Sequence, residues 1–154
     1  MKKSILFIVT FLFVSLSCSA AGEKHSTQKG EAMKIQIQIQ RGSESHKLTA
    51  TLEDNSSAKA FYALLQKGPL TVKLNEYGGF EKVGSLGASL PRSDRQTATK
   101  AGDIMLYQGN QITIFYNNNS WSYSPLGKVD GVTQAELKKI LGKGDMTAVF
   151  NILK

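Results

Sequence analysis

Cysteine, histidine and proline are scarce in this chain, which has one, two and three of them respectively. The lone cysteine, Cys18, cannot form a disulfide within the chain, so burial of apolar side chains must stabilise the fold. His25 and His46 are far apart, and no cysteine follows residue 18, so neither a metal-ligand cluster nor a hydrolase triad is indicated. We therefore expect no metal, no cofactor and no catalytic residue of these kinds.

A strong charge of one sign is also missing. The formal net charge is +7, from 19 basic and 12 acidic residues. The basic residues are spread along the chain and form no run of the type that binds nucleic acid. The sequence therefore predicts no nucleic-acid partner.

The N-terminus is the clearest motif in the sequence. Lys2 and Lys3 precede an uncharged apolar stretch at residues 4–14, and small residues follow at 15–21. This order is typical of a secretory signal peptide, and the apolar stretch is short for a membrane span. We expect residues 1–21 to direct export.

Two cleavage schemes are open. The segment that ends in Cys18 resembles a lipobox, although Ser15 stands where leucine is usual, and lipidation would give the lone cysteine a role. A signal peptidase could instead cut after Ala20 or Ala21 and release a soluble periplasmic protein. The favoured prediction is an envelope lipoprotein anchored through Cys18, with residues 19–32 as a flexible tether and 33–154 as one domain.

Short strands dominate that domain. Alternation, turn signals and caps predict two helices among several strands, with a long loop that holds one short strand at most. This order predicts a barrel or sandwich whose ends the helices cover. The predicted elements are strands at 33–40, 46–52 and 70–74, a helix at 58–67, a loop at 75–99, strands at 102–107, 111–116 and 121–124, a helix at 134–141 after a Thr133–Glu136 capping box, and a strand at 146–153 inside the sheet.

One block resembles a known family. Residues 102–116 (GDIMLYQGNQITIFY), with NSWSY at 119–123 and LGKV at 126–129, resemble bacterial cyclophilin-like fold proteins. YGGFEK at 77–82 and Leu90-Pro91 also look like that family. The resemblance covers residues 33–154 and implies a mainly β fold, a small closed antiparallel barrel of about eight strands with two capping helices.

The catalytic pattern of true cyclophilins does not carry over to this sequence. True cyclophilins use an arginine, a Phe/Met-lined proline pocket and a glutamine after a phenylalanine. The stretch at 77–82 has no arginine before it and no glutamine after it. The leading hypothesis is a binding domain without turnover. The alternative is a divergent peptidyl-prolyl isomerase that uses Phe80 and Arg92, and a third reading is a structural partner of another envelope protein.

The aromatic residues of these strands have two readings, core packing or an outward cleft for a peptide or small molecule. In the second reading, Glu76, Glu81 and Lys82 near the neighbouring loop could orient the ligand, and the alternative is that they form a solvated loop edge. The predicted ligand-binding residues are Glu76, Tyr77, Phe80, Glu81, Arg92, Tyr107, Phe115, Tyr116 and Trp121.

Overall fold

The computed structural model describes residues 31–142 and 144–153. The predicted signal peptide, Cys18 and the tether up to residue 30 lie outside the described residues. Within the described part the chain forms nine strands and two helices. In chain order they are β1 (Lys34–Arg41), β2 (Glu44–Leu52), α1 (Ser56–Gln66), β3 (Leu70–Tyr77), β4 (Glu81–Ser85), β5 (Arg95–Thr99), β6 (Asp103–Tyr107), β7 (Gln111–Phe115), β8 (Asn119–Val129), α2 (Gln134–Leu141) and β9 (Met146–Ile152).

Eight of these strands close into an antiparallel ring in the order β2-β1-β9-β3-β4-β7-β6-β8. The pairing of β2 with the end of β8, from Ala50 opposite Val129 to Leu52 opposite Gly127, completes the ring. The ninth strand, β5, lies alongside the first half of β8. The predicted mainly β barrel is therefore confirmed, with eight strands in the ring and one beside it.

The first hairpin shows how the sequence directs the barrel core. Ile35, Ile37 and Ile39 alternate with glutamines, and all three isoleucines are buried. Because alternate side chains of a strand face opposite sides, this pattern turns one face of β1 inward. The last strand, β9, lies between β1 and β3, as predicted for a strand inside the sheet.

Both helices add side chains to the same core. The side chain of Asn55 accepts a hydrogen bond from the Ala58 backbone (2.9 Å) and caps α1, whose Phe61 packs edge-on against Phe150. Helix α2 begins with the predicted capping box of Thr133 and Glu136. Within the described residues, no helix has the length and apolar character needed to cross a membrane.

The prediction of a loop with at most one short strand at 75–99 is wrong, because strand residues fill about half of this segment. Strand β3 continues to Tyr77, and both β4 and β5 lie in this region. Strand β4 lacks a clear alternation because it is buried on both faces, and β5 is mostly polar because it is an edge strand.

Strand β8 also differs from expectation, since it runs past Pro125 to Val129. A shift in the pairing with β6 places Ile104 opposite Gly127 and Met105 opposite Pro125, so that Leu126 is an extra residue. A proline is tolerated in a strand at such a bulge because the ladder is already interrupted there.

Candidate functional site

A tight turn between β3 and β4 organises the site. Tyr77 and Phe80 flank Gly78 and Gly79, whose φ angles are +62° and +74°. A Cβ atom on Gly78 would lie 2.2 Å from the Phe80 ring, so only glycine allows that ring to fold back over the turn. The two glycines therefore fix both the hairpin and the position of the Phe80 ring.

The register of this hairpin sends its side chains to two different faces. Glu76 lies opposite Lys82, and Tyr77 lies opposite Glu81. Lys82 in turn lies opposite Ile114 of β7, a residue of the barrel core. Since neighbouring side chains alternate across a strand, Glu76 and Lys82 face inward while Tyr77 and Glu81 face outward.

The outer face of β4, β7 and β6 carries a second apolar cluster. Its buried members are Met105, Phe115 and Tyr123, with Phe80 and Tyr107 packed against them. Phe115 stacks on Phe80 with centroids 6.4 Å apart and meets Tyr123 edge-on at 5.4 Å. The first half of β8 therefore covers the outside of the barrel, which explains why β4, β6 and β7 are buried on both faces.

An aromatic cleft opens beside this cluster, with a volume of about 380 Å³. Among the described residues, the exposed large apolar side chains are Tyr77, Trp121 and Leu153, and the first two lie on the rim of this cleft, 60% and 58% exposed. The residues that line it are Tyr77, Phe80, Glu81, Val83, Tyr107, Gln111, Asn119, Trp121 and Tyr123.

Glu81 is the charged residue of the cleft. It is only 5% exposed, and its Oε2 atom has no hydrogen-bond partner among the described residues. Burial raises the pKa of this carboxyl from its ordinary 4.5 to about 7, although the hydroxyl of Tyr123 partly opposes the rise. Burial and the nearby Glu81 also raise the pKa of Tyr123 to about 12. Glu81 therefore changes charge near neutral pH.

On the inward side of the same hairpin, the charged side chains are paired with each other. Lys82 is fully buried, and its ammonium group contacts the Glu76 carboxylate and donates to the Gly144 carbonyl at 2.6 Å. Tyr116 also donates to Glu76, as does the backbone of Gly79 at 3.1 Å. Partial burial alone would raise the pKa of Glu76, but the bonds from Lys82 and Tyr116 lower it. This cluster holds the hairpin to the barrel.

The structure divides the nine predicted ligand-binding residues into four groups. Tyr77, Phe80, Glu81, Tyr107 and Trp121 line the cleft. Glu76 and Tyr116 belong to the inward cluster with Lys82, and Phe115 lies buried behind the cleft. Arg92 bonds to Asp94 and does not line the cleft.

Four lining residues were not predicted: Val83, Gln111, Asn119 and Tyr123. Tyr123 had a signal, because it stands two positions after Trp121 on one strand and therefore shares its face. Val83, Gln111 and Asn119 carried none, since their place depends on pairings between distant strands. Among the described residues, no group of three or more His, Cys, Asp or Glu side chains could hold a metal ion.

Fold and cleft together define a small closed β-barrel with a concave aromatic site on its outer face. The model of the cyclophilin-like family matches residues 42–151, and the chain belongs to that family. This confirms the resemblance seen in the sequence. No curated protein matches the chain.

The fold is similar to the solution structure of a hypothetical protein from Archaeoglobus fulgidus. The two share 14% sequence identity with a TM-score of 0.59, over 82% of this chain and 99% of that chain. At this identity the likeness concerns the fold alone.

Proposed function

We propose that this domain is a ligand-binding module of the cell envelope, which holds a peptide or small molecule in the aromatic cleft without catalytic turnover. The cleft volume of about 380 Å³ falls in the range of small-ligand sites. The observation that carries the proposal is the exposed rim of Tyr77 and Trp121 around a buried carboxyl.

The chemistry of the rim supports this function. Tyrosine and tryptophan are among the residues that contribute most binding energy at protein interfaces, because each buries a large apolar area and keeps a polar group for hydrogen bonding. A ligand seated between Tyr77 and Trp121 would remove apolar surface from water that folding leaves exposed.

Tryptophan fluorescence tests the binding function directly, because Trp121 is the sole tryptophan of the chain. A library of peptides and small molecules is titrated into the full-length protein, and we expect some members to shift the emission of Trp121. Tyr77→Ala should weaken their binding. Leu153→Ala, which truncates an exposed apolar side chain outside the cleft lining, is the matched control. A library without any binder would refute the proposal.

The envelope location rests on the sequence of the N-terminus. Expression of the full chain in a bacterial host with radioactive palmitate should give a labelled protein that begins at Cys18 and fractionates with the membrane. Cys18→Ala should abolish the label. The wild-type protein could instead be unlabelled, begin after Ala20 or Ala21 and fractionate with the periplasm. That result would contradict the lipid anchor and support the soluble periplasmic protein.

The isomerase alternative requires Arg92 to act together with Phe80. The Arg92 guanidinium bonds to the Asp94 carboxylate, and Asp94 also accepts from the Ser124 hydroxyl. Neither Arg92 nor Asp94 lines the cleft that contains Phe80. In a protease-coupled proline-peptide assay we expect the rate of buffer alone. If the protein accelerates isomerisation, and both Arg92→Ala and Phe80→Ala abolish that activity, the domain is an isomerase and the proposal of binding without turnover is wrong.

A further inference from the structure

The charges of the cleft favour one sign of ligand. Among the described residues that line it there is no lysine, arginine or histidine, and Glu81 is the single carboxyl. An anionic ligand would therefore meet a carboxyl group with no basic side chain to offset it. A cationic ligand would meet an opposite charge in a site of low polarity, where that attraction is strong.

The aromatic rings of the cleft lie in different planes. Tyr77 and Phe80 have centroids 5.8 Å apart with an angle of 84° between their planes. Tyr107 and Tyr123 are 5.9 Å apart at 59°. A flat ligand is held best between parallel faces, whereas a tetrahedral ammonium group contacts faces that point in several directions. Each ring face carries the negative potential that attracts a cation.

Glu81 lacks the counter-ion that a buried carboxylate requires. Its Oε2 atom is buried without a partner in the described part of the chain, whereas Glu76 on the other face is bonded to Lys82. A buried charge without a partner is costly. The high pKa of Glu81 has the same origin, since burial without a cation favours the neutral form.

Accepting the binding function proposed above, we propose that the cleft binds a small organic cation, an alkyl-substituted ammonium compound whose charge Glu81 balances and whose alkyl groups the aromatic rings enclose. Trp121 would cover the bound group from the rim, as the ring type with the strongest attraction for cations. The carboxyl and the rings thus act on different parts of the same ligand.

Choline and 3,3-dimethylbutan-1-ol separate charge from shape, because the alcohol replaces the nitrogen of choline by carbon at nearly the same size. Both are titrated into the full-length chain, with Trp121 emission and calorimetry as readouts. We expect choline to bind at least about tenfold more tightly than the neutral alcohol. Because choline is a permanent cation, its own charge does not change with pH.

Glu81→Gln tests the partner on the protein. This variant should weaken choline binding by about tenfold and leave the affinity for the alcohol unchanged, since it removes a charge at nearly constant shape. Glu53→Gln, an exposed carboxyl outside the cleft lining, should alter neither affinity. Circular dichroism verifies that both variants fold. The comparison of the two ligands on the wild-type chain decides the question even if Glu81→Gln fails to fold.

The outcomes distinguish this inference from the binding function on which it rests. Equal affinity for choline and the alcohol would overturn the proposal of an organic cation and leave the binding function intact. The same conclusion would follow if choline did not bind while an uncharged or anionic library member shifted Trp121 emission. If choline, the alcohol and every library member fail to bind, both proposals fail. Choline binding that Glu81→Gln leaves unchanged would contradict the role of the carboxyl.

Discussion

Glu76 and Glu81 lie on the two arms of one hairpin, yet they are in opposite electrostatic states. Glu76 faces inward and is bonded to Lys82 and Tyr116, which lower its pKa. Glu81 faces outward into the cleft, and burial raises its pKa to about 7. The same type of side chain is thus stabilised as an anion at Glu76, on the inward face, and disfavoured as an anion at Glu81, on the outward face. A carboxyl with its partners in place stabilises the fold, whereas one without them is available for a ligand.

Among the substitutions that test this contrast, removal of the Lys82 charge should have the largest effect on stability. Lys82→Met keeps the buried stem but leaves Glu76 without its cation, and we expect a loss of about 3 kcal/mol in the free energy of unfolding, measured with urea. The double variant Lys82→Met with Glu76→Gln should recover part of this loss, because no unpaired charge remains. Lys59→Met, at an exposed ion pair with Asp54, is the control. Equal stabilities for wild type and Lys82→Met would show that the inward cluster does not hold the hairpin.

The pH dependence of stability should differ in sign between the two glutamates. Glu81 has a raised pKa, so its contribution is fully present below pH 4.5 and is lost as the pH rises through about 7. The loss is at most about 3 kcal/mol, because each pH unit between the two pKa values corresponds to about 1.4 kcal/mol. Glu76 has a lowered pKa, so its contribution is present above pH 4.5 and is lost as the pH falls through the lowered value.

Urea unfolding at pH 5 and pH 8 measures this difference. Glu81→Gln should unfold at a higher urea concentration than wild type at pH 8 and should lose the Glu81 part of the pH dependence. Glu76→Gln should be less stable than wild type at pH 8, because a neutral amide binds Lys82 more weakly. Parallel pH profiles for wild type and Glu81→Gln would contradict the raised pKa.

The turn between the two glutamates offers a matched pair of substitutions. Gly79→Ala places a Cβ in open space at positive φ, so only the backbone conformation should cost stability, about 1–2 kcal/mol. Gly78→Ala has the same backbone cost and also collides with the Phe80 ring. We therefore expect Gly78→Ala to be less stable than Gly79→Ala and to change the emission of Trp121. Equal effects of both substitutions would place the Phe80 ring elsewhere.

The two tyrosines that contact the glutamates complete the comparison, and Tyr123→Phe should give the smallest effect on stability. Tyr116→Phe removes a hydroxyl that donates to the Glu76 carboxylate, and we expect a loss of about 1–2 kcal/mol by urea unfolding. Tyr123→Phe should change stability less and should raise the pKa of Glu81 further, because the Tyr123 hydroxyl holds it down. Carbon-detected NMR titration of the Glu81 carboxyl measures that shift. A lower pKa in Tyr123→Phe would contradict the assigned contact.

The parts of the fold that depend on local patterns could be predicted from the sequence. The alternating isoleucines of β1 and the Thr133–Glu136 capping box determine their own elements, because each acts over a few residues. Strand β4 was not predictable in this way. The outer cluster covers its second face, and that cover depends on the first half of β8, far away along the chain.

Prediction of the site had the same limit. Tyr77, Phe80, Glu81, Tyr107 and Trp121 could be selected as a set because aromatic and acidic residues recur near the turn and on the later strands. The sequence could not separate Glu76 from Glu81, since both are carboxyls beside the same turn. Only the strand register distinguishes the two, because it places Glu76 beside Lys82 and turns Glu81 to the other face, where it contacts Tyr123.

The position of β9 between β1 and β3 has a consequence for the order of events during synthesis. Strands β1 to β8 leave the ribosome before β9, so the edges of β1 and β3 stay open until the last strand has emerged. Such a topology delays barrel closure until β9 has been synthesised, because the pairings that close the ring join strands that are distant along the chain. A chain whose barrel is still open would suit the export proposed above, because transport across a membrane requires an unfolded chain.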